Sequence, residues 1–96
     1  MFDRAEAYTW LGVVQVELGD YAGAMPNLEE AMRATVMCCR RDHYFAPYMR
    51  FALARALEAT HGDHERARDL AIEARAQFPA TREAERKRVD LWLATY

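Results

Sequence analysis

The sequence predicts an all-α chain, folded as two antiparallel helical hairpins and a closing helix. Three observations carry that expectation. Alanine recurs through most of the chain, and alanine is the best helix former. Apolar residues return at three- and four-residue steps in successive stretches, the period of a helix. Strand-type runs are nearly absent, Val13-Val14-Gln15-Val16 being the one candidate.

The first helix is expected to start near Asp3, with Glu6 reaching back to the cap. Tyr8, Leu11, Val14 and Leu18 recur at helical steps and are expected to form its core stripe. Gly19-Asp20 closes that helix and opens the next. Glycine suits the left-handed position past a helix end, and Asp20 is a good N-cap. The second helix places Ala24, Leu28, Ala31 and Thr35 on one face and is expected to run through Cys38 and Cys39 towards Arg41. Pro26 falls inside it, removing a backbone donor and predicting a kink.

Residues 42–47 (Asp42 to Pro47) read as a connection, with Pro47 suited to the first turn of a third helix. That helix covers about Tyr48 to Ala59 and is apolar over much of its circumference, which predicts burial on two sides. His61-Gly62-Asp63 repeats the stop-and-cap device. A fourth helix follows with Ala67, Leu70, Ala71, Ala74 and Phe78 on one face, and Pro79 ends it. Thr81 is expected to cap a fifth helix striped by Val89, Trp92, Leu93 and Tyr96. The chain is thus one domain, with hairpins over 3–41 and 46–79 and a closing helix over 81–96.

The two hairpins share a pattern. In each, an alanine lies five residues past the turn glycine (Ala24, Ala67), followed at four and seven residues by small or apolar side chains (Leu28 and Ala31; Ala71 and Ala74). Small residues there let two helices approach closely. With Tyr8, Leu11-Gly12 and Tyr21 in the first unit and Phe51 and Pro79 in the second, the chain resembles the tetratricopeptide repeat (TPR) family. The resemblance implies a right-handed α-solenoid fragment. It also departs from the family: Gln15 and Glu58 replace aromatics, Ala54-Arg55 replaces Leu-Gly, Val36 replaces the closing proline, and the two turns lie further apart than the ~34-residue repeat. The stretch from Gly62 to Ala94, through Arg66-Ala67-Arg68-Asp69 and Val89 to Leu93, resembles the C-terminal repeat regions of large bacterial signalling proteins such as myxobacterial-type Ser/Thr protein kinases.

By that resemblance the chain is a non-catalytic protein-interaction module. Its peptide groove is expected along Glu6, Thr9, Val13 and Val16 of the first helix and Met49, Ala52, Ala56 and Ala59 of the third. Chaperone-binding members hold a carboxylate with Lys and Asn at such positions. Neither type stands there, so a hydrophobic peptide or a neighbouring repeat is the expected occupant. Because about three repeats are usually needed to bury each face, homodimerisation through the first hairpin is the alternative.

Composition bounds the other classes. The 96 residues are 52% hydrophobic and 29% charged, with a net charge of −2 from 13 basic and 15 acidic side chains interspersed along the chain. No basic stripe points to nucleic acid. No apolar run approaches a membrane helix, and Met1-Phe2-Asp3-Arg4 lacks the apolar stretch of a signal peptide, so a cytoplasmic setting is expected. Cys38, Cys39 and His43 are the one cluster with metal-ligand residue types. Adjacent cysteines on a helix point about 100° apart, and no second pair completes four ligands; one is expected to pack as a small hydrophobe and the other to face solvent, a metal or redox role for Cys38, Cys39 and His43 being the remote alternative. His61 and His64 flank a turn, and Glu29-Glu30 and Glu83/Glu85 suit solvated helix faces. With no serine in the chain and no nucleophile paired to a base, neither catalysis nor a cofactor is expected.

Overall fold

The computed structural model describes residues 4–38 and 44–95. Five helices account for most of them: α1 (Arg4–Glu17), α2 (Tyr21–Cys38), α3 (Ala46–Ala59), α4 (His64–Gln77) and α5 (Glu83–Leu93). No strand occurs among the described residues. The chain is all-α, as expected. Helix α1 packs along α2 and α3 along α4, the second hairpin meets the first through α2–α3 and α1–α3 contacts, and α5 lies on α4.

Helices α2 and α4 bury the predicted faces. Ala24, Leu28, Ala31 and Thr35 are buried on α2, and Ala67, Leu70, Ala71, Ala74 and Phe78 on α4. Helix α2 passes through Pro26 without a break, with both Pro26 and Ala22, whose carbonyl loses a partner, at exposed positions. Solvent there can satisfy the freed oxygen.

Helix α1 buries a different face from the expected one. Ala5, Thr9, Gly12 and Val16 point inward, while Leu11, Val14 and Leu18 lie exposed. The inward face wins because it is small. A Cβ built on Gly12 would lie 2.5 Å from Leu28 Cδ2 and Cγ, so the leucine occupies the space that any side chain would fill. Thr9 enters the core without an unpaired hydroxyl, since its Oγ1 donates to the Ala5 carbonyl at 2.8 Å; Thr35 does the same to Ala31 at 2.8 Å. Such back-bonding to the preceding turn meets the polar demand locally.

The two hairpin turns are built alike but not on like residues. After α1, Gly19 takes φ 82°, its N–H donates to the Val16 carbonyl (3.0 Å), and the Asp20 N–H donates to Gln15 (2.8 Å). After α3, His61 takes the left-handed position at φ 57°, with His61 donating to Glu58 (3.2 Å) and Gly62 to Leu57 (2.7 Å). Both are Schellman closures. The second carries one more residue before the cap, so His61, not Gly62, matches Gly19. Asp20 and Asp63 then cap the following helices, accepting from the Gly23 and Arg66 N–H groups at 3.0 Å each.

Two further expectations are corrected. Thr81 does not cap α5: Arg82 stands at the N-cap with no side-chain cap bond, and the Arg82 N–H donates to the Pro79 carbonyl at 2.8 Å. Glu83 and Glu85 in the first turn supply favourable charge instead. Residues 44–47 are more than a connection. Phe45, Ala46 and Pro47 are buried, Phe45 among the largest fully buried side chains, and α3 begins at Ala46. Asp3, Cys39 to His43 and Tyr96 lie outside the described residues.

Two substitutions test these constraints. Gly12→Ala should destabilise the fold by about 1–3 kcal/mol through overpacking against Leu28. His61→Gly should stabilise it by about 1 kcal/mol by relieving a left-handed backbone. Urea denaturation followed by circular dichroism reads both.

Candidate functional site

The α1–α3 junction brings aromatic, aliphatic and charged side chains together. Packing α1 by its small face turns Trp10, Val13 and Glu17, at steps of three and four, towards α3. Helix α3 answers with Tyr48, Ala52 and Arg55 at the same spacing, and Phe51 beside them. Arg88 reaches in from α5. Together they line a cleft of about 250 Å³ whose floor includes the buried Val16.

Aromatic contacts hold its walls. The Trp10 and Tyr48 rings lie 5.3 Å apart at 53°, and Tyr48 meets Phe78 edge-on at 4.9 Å and 90°. Phe51 meets Trp92 at 5.9 Å and 88°, so α5 is docked on α3 as well as on α4. Such tilted and edge-on pairs are the favoured aromatic geometry. On the far side of the Trp10–Tyr48 pair lies a second cleft of about 570 Å³, walled by Tyr44, Pro47, Phe78 and Pro79 with Arg82 at its edge. Glu6 ties this end down, accepting from Trp10 Nε1 at 3.3 Å and from the Tyr44 hydroxyl. The Glu6 carboxylate beside it raises the Tyr44 phenol above the ordinary tyrosine range.

The other end of the smaller cleft is charged. Glu17 Oε1 accepts from Arg55 Nη1 at 2.8 Å and from Arg88 Nη2 at 3.2 Å. The Arg55 bond lowers the Glu17 pKa from the usual carboxylate range; partial burial opposes this, and Arg88 adds to it. Arg55 also lies 5.8 Å over the Phe51 ring, a cation–π placement. Two guanidinium groups facing one carboxylate leave positive charge in excess at this rim.

The expected groove residues are divided by the fold. Val13, Val16 and Ala52 line the smaller cleft. Glu6 stands at the aromatic end. Thr9, Met49 and Ala56 are fully buried, and Ala59 is exposed at the end of α3. Trp10, Glu17, Tyr48, Phe51, Arg55 and Arg88 were not among the expected residues. On α1 the signal was adjacent to the expected residues, Trp10 and Glu17 each following one of them, and on α3 Tyr48, Phe51 and Arg55 each precede one. Arg88 had no comparable signal, because its place depends on how α5 docks.

The remaining candidates hold helices together or fall outside the described residues. Cys39 and His43 are outside them, and for Cys38 only its place at the end of α2 is described. His64 Nδ1 pairs with Glu58 Oε2 at 2.7 Å. Glu29 takes both Arg66 Nη atoms, at 3.2 and 2.7 Å, which raises the Arg66 pKa. Glu30 pairs with Arg4 and Arg33. Among the described residues no three of His, Cys, Asp and Glu are grouped to hold a metal, and no helix is long and apolar enough to cross a membrane.

Comparison with protein-family models, with curated proteins and with solved structures finds no match for this chain.

The charged rim predicts a pH dependence. Glu17 has a lowered folded-state pKa, so its contribution is complete above the unfolded-state value of about 4.3 and is lost as pH falls through the folded value. Glu17 and Arg88 are half exposed, so Glu17→Gln should cost below about 1 kcal/mol at pH 7. Denaturation curves of wild type and variant should differ at neutral pH and converge in acid.

Proposed function

We propose that this chain is a non-catalytic protein-interaction module of the TPR type, which holds a short peptide segment of a protein partner in the cleft between α1, α3 and α5. The observation that carries this reading is the aromatic, partly apolar cleft shared by three helices, with two arginines at one rim. An apolar anchor side chain would seat against Trp10, Val13, Tyr48 and Phe51. Burying one such side chain contributes about 1.5–3 kcal/mol, and an acidic group next to it would meet the excess charge of Arg55 and Arg88.

The repeat reading is supported by the order of packing. Each hairpin closes through small residues (Gly12 and Ala24 in the first, Ala67, Ala71 and Ala74 in the second), each turn has the same Schellman bonding, and the first helices of the two hairpins are neighbours. In repeat arrays that arrangement gives an extended binding face. The proposed setting is the C-terminal repeat portion of a larger bacterial signalling protein in the cytoplasm, on the resemblance of the segment from Gly62 to Ala94.

A peptide library screened by fluorescence polarisation tests the binding reading. Apolar-acidic peptides should be enriched and should change Trp10 emission. Val13→Glu should weaken the selected peptides at least ~10-fold, the effect of about 1.4 kcal/mol, with the helical signal unchanged. Arg33→Glu, on the exposed side of α2, should leave affinity intact. Equal binding to wild type and Val13→Glu would sink the proposal.

A further inference from the structure

We propose that the larger cleft, beside Tyr44, seats a proline of the same bound peptide, so that the ligand is a proline-containing segment in polyproline II conformation. The inference rests on the peptide reading above and narrows its ligand class. The larger cleft and the smaller one share two lining residues, Trp10 and Tyr48, whose ring pair stands between them. A chain seated in the smaller cleft has only that pair to cross.

The walls beyond it are a row of rings. Trp10 meets Tyr44 at 6.3 Å on one side and Tyr48 at 5.3 Å on the other, and Phe78 continues the row from Tyr48 at 4.9 Å. Aromatic-lined grooves suit polyproline II segments, which are already extended and lose little entropy on docking. That conformation returns to the same face every third residue, about 9 Å along the chain. The proline is therefore placed three residues from the apolar anchor.

Hydrogen bonding selects proline over other apolar residues. The carboxylate and carbonyl acceptors around the cleft are engaged. Glu6 accepts from Trp10 Nε1 and the Tyr44 hydroxyl, Gln77 Oε1 from Arg50 Nη1 at 2.7 Å, and the Pro79 carbonyl from the Arg82 N–H at 2.8 Å. What is left can donate: among the described residues the Tyr48 and Thr81 hydroxyls and the Arg82 guanidinium have no hydrogen-bond partner. A docked residue with an N–H would bury a donor among donors, which is costly. Proline has no N–H, and the carbonyls of a polyproline II chain make no internal bonds, so they can accept from the two hydroxyls. Charge agrees with this. Arg82 stands at one end of the path and Arg55 and Arg88 at the other, which fits a proline segment flanked by acidic residues.

Fluorescence polarisation on the full chain, with peptides built on an apolar-acidic segment that binds the smaller cleft, tests this. Proline or valine is set three residues from the anchor, on either side of it; valine is apolar but carries an N–H. One of the two proline peptides should bind roughly 10-fold tighter than its valine counterpart. Tyr44→Ala, at a position 68% exposed, should bring that ratio close to one, with circular dichroism unchanged and the valine peptide still bound. An aspartate beside the proline should add affinity that Arg82→Gln removes. Equal affinity of proline and valine peptides for the wild type would overturn the inference and leave the peptide reading intact, as would a proline preference that survives Tyr44→Ala. Absence of binding by proline and valine peptides alike is the failure of the peptide reading itself, and the inference falls with it.

Discussion

The contact of Leu28 with the bare Cα of Gly12 sets the geometry from which the rest follows. It brings α1 onto α2 at a separation that no β-carbon at position 12 would permit. With α1 seated on its small face, the helix rotation is determined, and each remaining side chain of α1 is assigned a direction. Thr9 and Val16 go inward, Trp10, Val13 and Glu17 turn to α3, and the large aliphatics turn away from the hairpin. The aromatic cleft and the exposed aliphatic face are thus two results of one packing arrangement.

That arrangement also explains which parts of the fold were legible in the sequence. Helices α2 and α4 each have one apolar stripe backed by polar residues, so periodicity alone located their buried faces. The Gly-Asp turns and Pro47 and Pro79 placed most helix ends, because glycine, aspartate and proline act through local backbone geometry. Helix α1 offers two stripes. Side-chain size favoured the stripe of Leu11, Val14 and Leu18, but close packing rewards shape fit over apolar area, and Gly12 has no hydrophobicity to count. Of the groove expected from the family resemblance, Val13, Val16 and Ala52 line the cleft, while Thr9, Met49 and Ala56 are core residues. Thr81 failed as a cap for a different reason: the turn bond from Arg82 to Pro79 moves the start of α5 beyond it. Phe45 was hidden by its neighbours, since a core aromatic in a short polar connection has no period to reveal it.

Charged ties then link neighbouring helices. Glu29 with Arg66 joins α2 to α4, Arg50 with Glu73 and Gln77 joins α3 to α4, and Arg75 with Asp90 joins α4 to α5. Each is partly exposed and individually worth little. Their value lies in direction, because a planar guanidinium engaging two acceptors prefers one orientation. With twelve arginines and one lysine, the chain is suited to such forked contacts.

Helix α5 has a less even share in this arrangement. Val89 is its one buried residue among those described, with Trp92 and Leu93 half covered. Terminal units of stacked helices open more readily than central ones, and segments with few buried apolar contacts open first. Yet α5 supplies Arg88 to the cleft and sets Trp92 against Phe51. Amide exchange in this helix would therefore report on the integrity of the binding surface as well as on fraying. A ligand that engaged Arg88 would slow exchange along a helix it barely touches, making occupancy and end-stability two readings of one equilibrium.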